Sequence, residues 1–144
     1  MPEAAAPTDD FRYPGNRLGL PEDGPGSVAG WGRRLVALFV DWTIAGLVAS
    51  LVVQRPMWAG GNDLSLAQLL TFCLMNTVLV GMLCATIGHR LLGLRVDRVG
   101  GGMVGLRRAL LRSVLIALLI PPVVYDRDRR GLHDKAAGTV VVLR

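Results

Sequence analysis

An aspartate inside a long apolar run is the sharpest chemical feature of this sequence. Asp41 is the one ionisable residue in the nineteen residues from Leu35 to Val53. If lipid surrounds this run, a carboxylate at membrane depth costs about 2.5–3.5 kcal/mol on insertion scales, so Asp41 is expected to face protein or water. Arg34 precedes Asp41 by seven residues. That spacing is two helical turns, or about 10 Å, along the same helix face.

Two roles for Asp41 stay open at the level of the residues. In the first role Asp41 is a permanently paired structural group, which accepts hydrogen bonds from a threonine, an asparagine or an arginine and fixes how the helices dock. In the second role it binds a cation or a proton and changes partners during transport. The structural role is favoured, because a single carboxylate on two helices makes a poor pathway.

The two histidines offer weaker chemistry. His89 lies among arginines near the end of the second apolar run, and His133 directly precedes Asp134. A His-Asp pair can move protons, but no third partner of metal-ligand or nucleophile type lies near either histidine in sequence. A capping or salt-linked role is therefore favoured for both. The sequence predicts no enzyme, no bound metal and no cofactor.

Composition and patterning indicate that lipid surrounds much of the chain. Of the 144 residues 51% are hydrophobic, the mean hydropathy is +0.43, and the apolar residues lie in blocks. The blocks 35–53 and 66–87 are long enough to be membrane helices. A third helix, predicted at about 109–125, contains an apolar block of only thirteen residues that includes Pro121 and Pro122. This short block favours a re-entrant or interfacial helix over a third span.

The placement of arginine predicts the topology. The loop between the first two helices contains only Arg55, whereas both flanking segments are rich in arginine. These flanking arginines are Arg12, Arg17, Arg33 and Arg34 before the first helix, and Arg90, Arg95, Arg98, Arg107, Arg108 and Arg112 after the second. Because membrane proteins keep such residues in cytoplasmic segments, both ends of the helix pair are predicted to be cytoplasmic. The net charge of +5 fits anionic lipid headgroups, and without a nucleic-acid-binding motif no nucleic acid is predicted as a partner.

The segments outside the apolar blocks are predicted to lie on the cytoplasmic side. Residues 1–30 are rich in Pro, Gly and Ala, which is typical of a disordered tail. Residues 94–99 and 103–104 flank Gly100 to Gly102 with an alternating pattern, which predicts a short β-hairpin. The apolar residues 138–142 could add a strand to that hairpin.

Small residues predict how the two long helices pack. Ala45 and Ala49 continue the helix face that contains Asp41, and Thr77 and Gly81 form a matching surface on the second helix. Small residues four apart allow two helices to approach closely. In an antiparallel pair, Gly81 is predicted to lie at about the depth of Asp41.

Four motifs in order resemble the signatures of the RDD family of small membrane proteins, which is named for one arginine and two aspartates. They are the segment WGRRLVALFVDW with Arg34 and Asp41, the segment from Thr86 to Val96, Arg112, and the segment from Leu132 to Val141 with Asp134 as the second aspartate. The supporting residues that fall within these motifs are Gly88, His89, Arg90, Arg95 and His133. His89 occupies a position where the family commonly has lysine.

The resemblance implies a bacterial inner-membrane protein that takes part in transport of an unidentified ligand, in some members linked to cation/proton exchange. The expected fold is an all-α membrane protein with two transmembrane helices, a third short helix and a small cytoplasmic hairpin, in a membrane domain covering 31–144. Arg34, Asp41, Arg112 and Asp134 are expected to form a cytoplasmic-side polar cluster in a transport-related or accessory protein. The alternative is a structural subunit. Either would work as a homo-oligomer or within a larger membrane complex.

Overall fold

Two long helices form the body of the molecule. The computed structural model describes residues 10–118 and 126–144. Helix α1 comprises Trp31–Val53 and helix α2 comprises Asn62–Leu83. At about 1.5 Å per residue they are roughly 35 and 33 Å long, which is sufficient to cross a hydrocarbon core of about 30 Å. Both are long and apolar enough to span a membrane.

The outward faces of the two helices are apolar and open. Phe39 and Leu51 on α1 expose 71% and 77% of their surface, and Leu74 on α2 exposes 68%. In a water-soluble protein such side chains would turn inward, whereas here the buried positions of α1 are mainly small or polar residues. This inside-out distribution is the one expected of helices that contact lipid or a partner protein.

Helix α2 ends earlier than the predicted boundary at Ile87. Cys84 adopts a left-handed backbone conformation (φ 55°) and closes α2, with its N–H donating to the carbonyl of Val80. Thr86 then starts a separate helix, α3, which comprises Ile87–Leu91. The Thr86 hydroxyl accepts from the backbone N–H of His89 while the Thr86 N–H donates to the His89 ring. This reciprocal capping box explains why the chain begins a new helix here.

Within residues 10–118 and 126–144, three short helices and two strands complete the fold. After α3 come strand β1 (Leu94–Arg98), helix α4 (Leu106–Ala117), helix α5 (Leu132–Ala137) and strand β2 (Thr139–Leu143). Single 3-10 turns lie at Asn16–Leu18 and Met57–Ala59. Helix α4 packs against α2 and α5, and α3 packs against α1.

The predicted hairpin between 94–99 and 103–104 does not form. Strand β1 pairs instead with β2 in an antiparallel ladder that sets Leu94 opposite Leu143 and Val96 opposite Val141. The three glycines of the predicted turn, 100–102, all have φ near 90°. A tight hairpin of the I′ type needs two such residues, so this run of three leads the chain away towards α4. The expectation that residues 138–142 form a strand is confirmed by β2, which pairs with β1.

Residues 10–30 are folded, in contrast to the predicted disordered tail. Val28 forms a β-bridge with Val142, and the N–H of Ala29 donates to the carbonyl of Val141. Arg17 forms an ion pair of 2.6 Å with Asp128. Strand β2 therefore lies between β1 and this N-terminal segment, and both of its edges form backbone hydrogen bonds. The remaining part of the predicted tail, 1–9, lies outside the described residues.

The third apolar block is described only in part. Helix α4 begins at Leu106, three residues before the predicted boundary, and the portion of the predicted helix at 119–125 lies outside the described residues. Arg108 in the first turn of α4 donates to the carbonyl of Ala137 at the end of α5. The chain after residue 126 is therefore at the end of the bundle where α4 begins. Whether the block is re-entrant or crosses a membrane stays a prediction.

Glycine at position 88 allows the closest approach between α3 and α1. A Cβ at Gly88 would clash with the backbone carbonyl of Ala37. We expect Gly88→Ala to lower the free energy of unfolding by about 1–3 kcal/mol, since backbone on both sides must move apart. Thermal unfolding in detergent micelles measures this loss. Gly32→Ala in α1 is the control, because a Cβ there meets nothing within 4 Å, and equal losses in the two variants would contradict the close-packing argument.

Candidate functional site

Asp134 is the centre of a buried charged cluster. It belongs to α5 and has no exposed surface. One carboxylate oxygen, Oδ1, accepts from Nε of Arg112 at 2.8 Å and from the hydroxyl of Thr139 at 3.0 Å. The other oxygen, Oδ2, lies 3.6 Å from Nη1 of Arg34 and 3.3 Å from Nε2 of His133. This carboxylate therefore joins side chains from α1, α4, α5 and β2.

The surrounding cations keep Asp134 ionised. Burial by itself disfavours the charged carboxylate, but Arg112, His133 and Arg34 outweigh that cost and hold the pKa of Asp134 well below its usual value. Two guanidinium groups share this single carboxylate. The trio of Arg34, Arg112 and Asp134 thus has one positive charge in excess.

Arg34 and Arg112 connect the long helices to the C-terminal elements. Nη2 of Arg34 donates to the carbonyl of Val141 in β2 at 3.1 Å, so α1 is tied to the sheet as well as to Asp134. Both arginine side chains are almost completely buried, with 7% and 4% of their surface exposed. Arg34, in the first turn of α1, is buried because the C-terminal segment covers it.

Asp41 anchors a different pair of elements. Its Oδ2 accepts from the hydroxyl of Thr86 at 2.5 Å, and its Oδ1 accepts from the backbone N–H of Gly88 at 2.8 Å. Asp41 thereby binds the first turn of α3 to the middle of α1. The hydrogen-bonding threonine anticipated for the structural role is therefore Thr86, which precedes α3.

A small cavity lies beside Asp41 and Arg112. Its volume is about 30 Å³, enough for one or two water-sized particles. The lining residues come from α1, α2, α3, α4, α5 and β2, and they are Arg34, Leu35, Leu38, Asp41, Asn76, His89, Arg112, Ile116, His133 and Val141. Nη1 of Arg112 is buried, and among residues 10–118 and 126–144 it has no hydrogen-bond partner.

His89 is a neutral side chain on the lining of this cavity. Burial, with a further contribution from the nearby positive charge of Arg112, lowers its pKa to about 3. Because Nδ1 accepts the hydrogen bond from the N–H of Thr86, the neutral ring has its proton on Nε2. Histidine is accommodated at this position, where the family that the sequence resembles commonly has lysine, because its ring is neutral and hydrogen-bonded. It acts here as a capping group and an uncharged donor.

The structure gathers most, but not all, of the site residues expected from the sequence. Arg34 and Arg112 both contact Asp134, and Asp41 lines the same cavity as the two arginines. Of the supporting residues, Gly88, His89 and His133 adjoin the cluster. Arg90 and Arg95 are exposed, and Arg95 pairs instead with Asp97 at 2.7 Å.

Some contacts differ from those expected, and some functional residues were missed. Gly81 packs against Leu106 of α4, and its depth relative to Asp41 stays a prediction. Thr86 and Thr139, which bond directly to the two aspartates, were not among the predicted site residues. The spacing of Thr86 and His89, three residues apart after an apolar run, was an available capping signal. For Thr139 no comparable local signal exists.

The fold and the charged cluster together define a class of protein. The class is a small helical protein with two helices long and apolar enough for a membrane, in which a buried charged site joins these helices to the C-terminal segment. The RDD family model matches residues 28–138, so this chain belongs to the RDD family, as the resemblance predicted. Family membership and the two apolar helices indicate a membrane protein. Comparison with curated proteins and with solved structures gave no match.

Removal of the charge on Asp134 tests the cluster. Asp134→Asn keeps an oxygen for Arg112 but removes the buried negative charge that two guanidinium groups contact, so we expect a loss of about 3–5 kcal/mol in unfolding free energy. Thermal or denaturant unfolding in micelles measures it. The control is Asp126→Asn, which removes a partly exposed pair with Lys135 and is expected to cost about 0–1 kcal/mol. Similar losses in both variants would show that the buried charge does not stabilise the fold.

The lowered pKa of His89 makes stability depend on pH. Below about pH 6.5 an unfolded histidine binds a proton, whereas folded His89 resists protonation down to about pH 3. Stability is thus greatest above pH 6.5 and falls as the pH decreases, by up to about 1.4 kcal/mol per pH unit. We expect His89→Gln to flatten this slope in melting curves between pH 8 and pH 4. Parallel slopes for the wild type and His89→Gln would refute the assignment.

Proposed function

We propose that this chain is a transport-related or accessory protein of the bacterial inner membrane, with its N-terminus in the cytoplasm, and that the cluster Arg34, Asp41, Arg112 and Asp134 is its functional centre. One observation supports this proposal above the others. Buried ionised groups border a cavity, and one of them, Arg112, retains a donor that no described residue uses. A purely structural ion pair gains nothing from such a donor.

The proposed cytoplasmic side follows from charge. The cluster lies where α1 begins and where α4 and α5 meet, and Arg33, Arg90 and Arg107 are exposed nearby in sequence. Arg55 is the arginine of the loop at the opposite end of the helix pair. Positive residues concentrate on the cytoplasmic side, so the proposal places the cavity close to that membrane face.

The proposed activity is binding and transfer of a small solute, without chemical conversion. The side chains around the cavity are guanidinium and carboxylate groups engaged with one another, together with a capping histidine. Within the described residues no set of three metal-ligating side chains is found. The proposal therefore assigns no catalytic step, no metal and no cofactor to this site.

A partner is part of the proposal. Two helices cannot enclose a pathway, and the apolar faces marked by Phe39, Leu51 and Leu74 are covered by nothing within the chain. Lipid covers such faces in a monomer, and the helices of a second copy or of a larger membrane complex cover them in an assembly. We propose that the protein works in an assembly, because a pathway requires walls on more than two sides.

A second candidate function has its own supporting observation. Both oxygens of Asp41 are engaged within the chain, by Thr86 and Gly88. That arrangement suits a fixed brace between α1 and α3. In this alternative the protein is a non-catalytic structural subunit that docks onto a larger membrane complex through its apolar helix faces.

Ion flux separates the two functions. Purified protein in lipid vesicles, loaded with a pH-sensitive dye and with defined salts inside and outside, is expected to pass protons or small ions. Asp41→Asn is expected to lower the flux at least about tenfold, since a charged hydrogen bond contributes about 1.5–3 kcal/mol. The matched control, Asp63→Asn, changes an exposed acid at the start of α2 and should leave the flux unchanged.

Three other outcomes would contradict one or both of these functions. If Asp41→Asn inserts normally and supports full flux, Asp41 has no transport role. If the wild type passes nothing in vesicles but is purified in mild detergent with a stoichiometric membrane partner, the structural subunit is the correct function. Recovery of an inactive monomer without a partner would exclude both functions.

A further inference from the structure

We propose that the outward face of α4 is a binding site for a phospholipid of net negative charge, with Arg107 at the headgroup and the residues beyond it against an acyl chain. This inference goes beyond the proposed function, and it rests on that proposal only for the cytoplasmic position of this end of the molecule. Three observations support it: the depth of α4, the pattern of its exposed face and the charge of Arg107.

Helix α4 runs antiparallel to α2 and lies alongside it. Leu106, the first residue of α4, packs against Gly81 near the end of α2. Seven residues later, the carbonyl of Ser113 accepts from the thiol of Cys73 at 3.8 Å, near the middle of α2. Since α2 is long and apolar enough to span a membrane, α4 extends from one end of that span to at least its middle.

The exposed face of α4 consists of one arginine followed by apolar side chains. Arg107 is exposed, and the residues three, four, seven and eleven positions after it lie on the same side of the helix. These apolar residues, here called the α4 stripe, have 44–62% of their surface exposed and are Leu110, Leu111, Val114 and Leu118.

The length of the α4 stripe matches one leaflet of a bilayer. From Arg107 to the last residue of the stripe the helix rises about 17 Å, and half of a hydrocarbon core measures about 15 Å. An acyl chain that begins at the headgroup level beside Arg107 therefore has apolar side chains beside it along its length.

The charge of Arg107 favours a lipid over a second copy of this chain. No ion pair involves Arg107 within residues 10–118 and 126–144. The acids on the described helices are Asp41 and Asp134, which are buried, and Asp63, which pairs with Arg55 at the start of α2. That start is the end of α2 remote from Gly81, so a parallel copy brings no described helix carboxylate to the depth of Arg107.

A phosphate headgroup supplies the missing negative charge. The planar guanidinium group of arginine donates two parallel hydrogen bonds to a phosphate. Its apolar stem can lie along the α4 stripe while the charged end stays at the headgroup level. In a zwitterionic lipid the positive headgroup competes for the same phosphate, so a lipid of net negative charge is preferred.

Lipid selectivity is measured on the full chain in a mild non-ionic detergent. Dioleoyl phosphatidylglycerol and dioleoyl phosphatidylcholine, which have the same acyl chains, are titrated separately, and glycerol phosphate tests a headgroup without chains. A ligand that binds only the folded state raises the melting temperature in a concentration-dependent way. We expect phosphatidylglycerol to raise it by several degrees at a lower concentration than phosphatidylcholine, and glycerol phosphate to leave it unchanged.

Variants separate the headgroup from the chain. Arg107→Gln is expected to raise the half-maximal concentration of phosphatidylglycerol about fivefold, the factor that one arginine contributes near an anionic surface, and to leave phosphatidylcholine unchanged. Val114→Asn makes the α4 stripe polar and should weaken both lipids. Arg98→Gln, which removes an exposed arginine of β1, is the matched control and should respond as the wild type does.

A photo-crosslinking amino acid at position 110 identifies the occupant directly. In vesicles of phosphatidylglycerol and phosphatidylcholine, this side chain on the exposed face is expected to link to phosphatidylglycerol more often than the lipid ratio predicts. Links formed mainly to a second copy, or within the chain, would overturn the proposal.

The titrations have contrary outcomes of their own. Equal responses to the two lipids, an effect of glycerol phosphate equal to that of the lipid, or equal losses in Arg107→Gln and Arg98→Gln would each overturn the site. These results are independent of the flux assay. Selective lipid binding without flux leaves the lipid site standing and defeats the transport function, whereas flux without lipid selectivity does the reverse.

Discussion

The buried carboxylate of Asp134 is the interaction on which the rest of the structure depends. It holds Arg112 directly, Arg34 at a slightly longer distance and Thr139 from the neighbouring strand. Each of these residues belongs to a different element. Without this negative charge, two guanidinium groups would be left in a space that excludes water, which is among the most costly arrangements in a folded protein. The C-terminal segment therefore completes the core as well as covering it.

Asp41 performs a similar task with backbone and hydroxyl donors. By binding Thr86 and the N–H of Gly88, it holds α3 against α1, while Asp134 holds α4 and the strands at the same end. Asp41 lies on the lining of the small cavity, and Asp134 holds Arg112, which lies on the same lining. Both of these contacts are polar, and the large apolar side chains of α1 and α2 lie on the outside of the helices. Lipid or another protein is expected to contact them there.

The sequence predicts the long helices well because their signal is local. An apolar run of about twenty residues has few alternatives in lipid. Helix α1 covers its expected run, and α2 covers its run as far as Leu83. The end of α2 was missed because a left-handed Cys84 cannot be inferred from hydropathy. Strand β1 was expected, but its partner was assigned to the nearest suitable residues, and the true partner β2 lies some forty residues later in the chain. Pairing between distant strands leaves no mark in local periodicity.

The site was anticipated to the extent that its residues form sequence motifs. Arg34, Asp41, Arg112 and Asp134 were identified through the family resemblance, and the structure brings three of them into contact. The hydroxyl groups of Thr86 and Thr139 were overlooked because their importance depends on which carboxylate they meet in space. Residues 10–30 were misjudged for a related reason. Their composition resembles that of a flexible segment, and only the bridge between Val28 and Val142 reveals their place beside β2.

The position of β2 between β1 and the segment around Val28 constrains the order of events during synthesis. A strand that is flanked on both edges by earlier parts of the chain can take its place only after both edges have been made, and the carboxylate that Arg34 and Arg112 contact is likewise translated long after α1 and α2. The ion pairs of both arginines with Asp134 therefore form only after the long helices have been made.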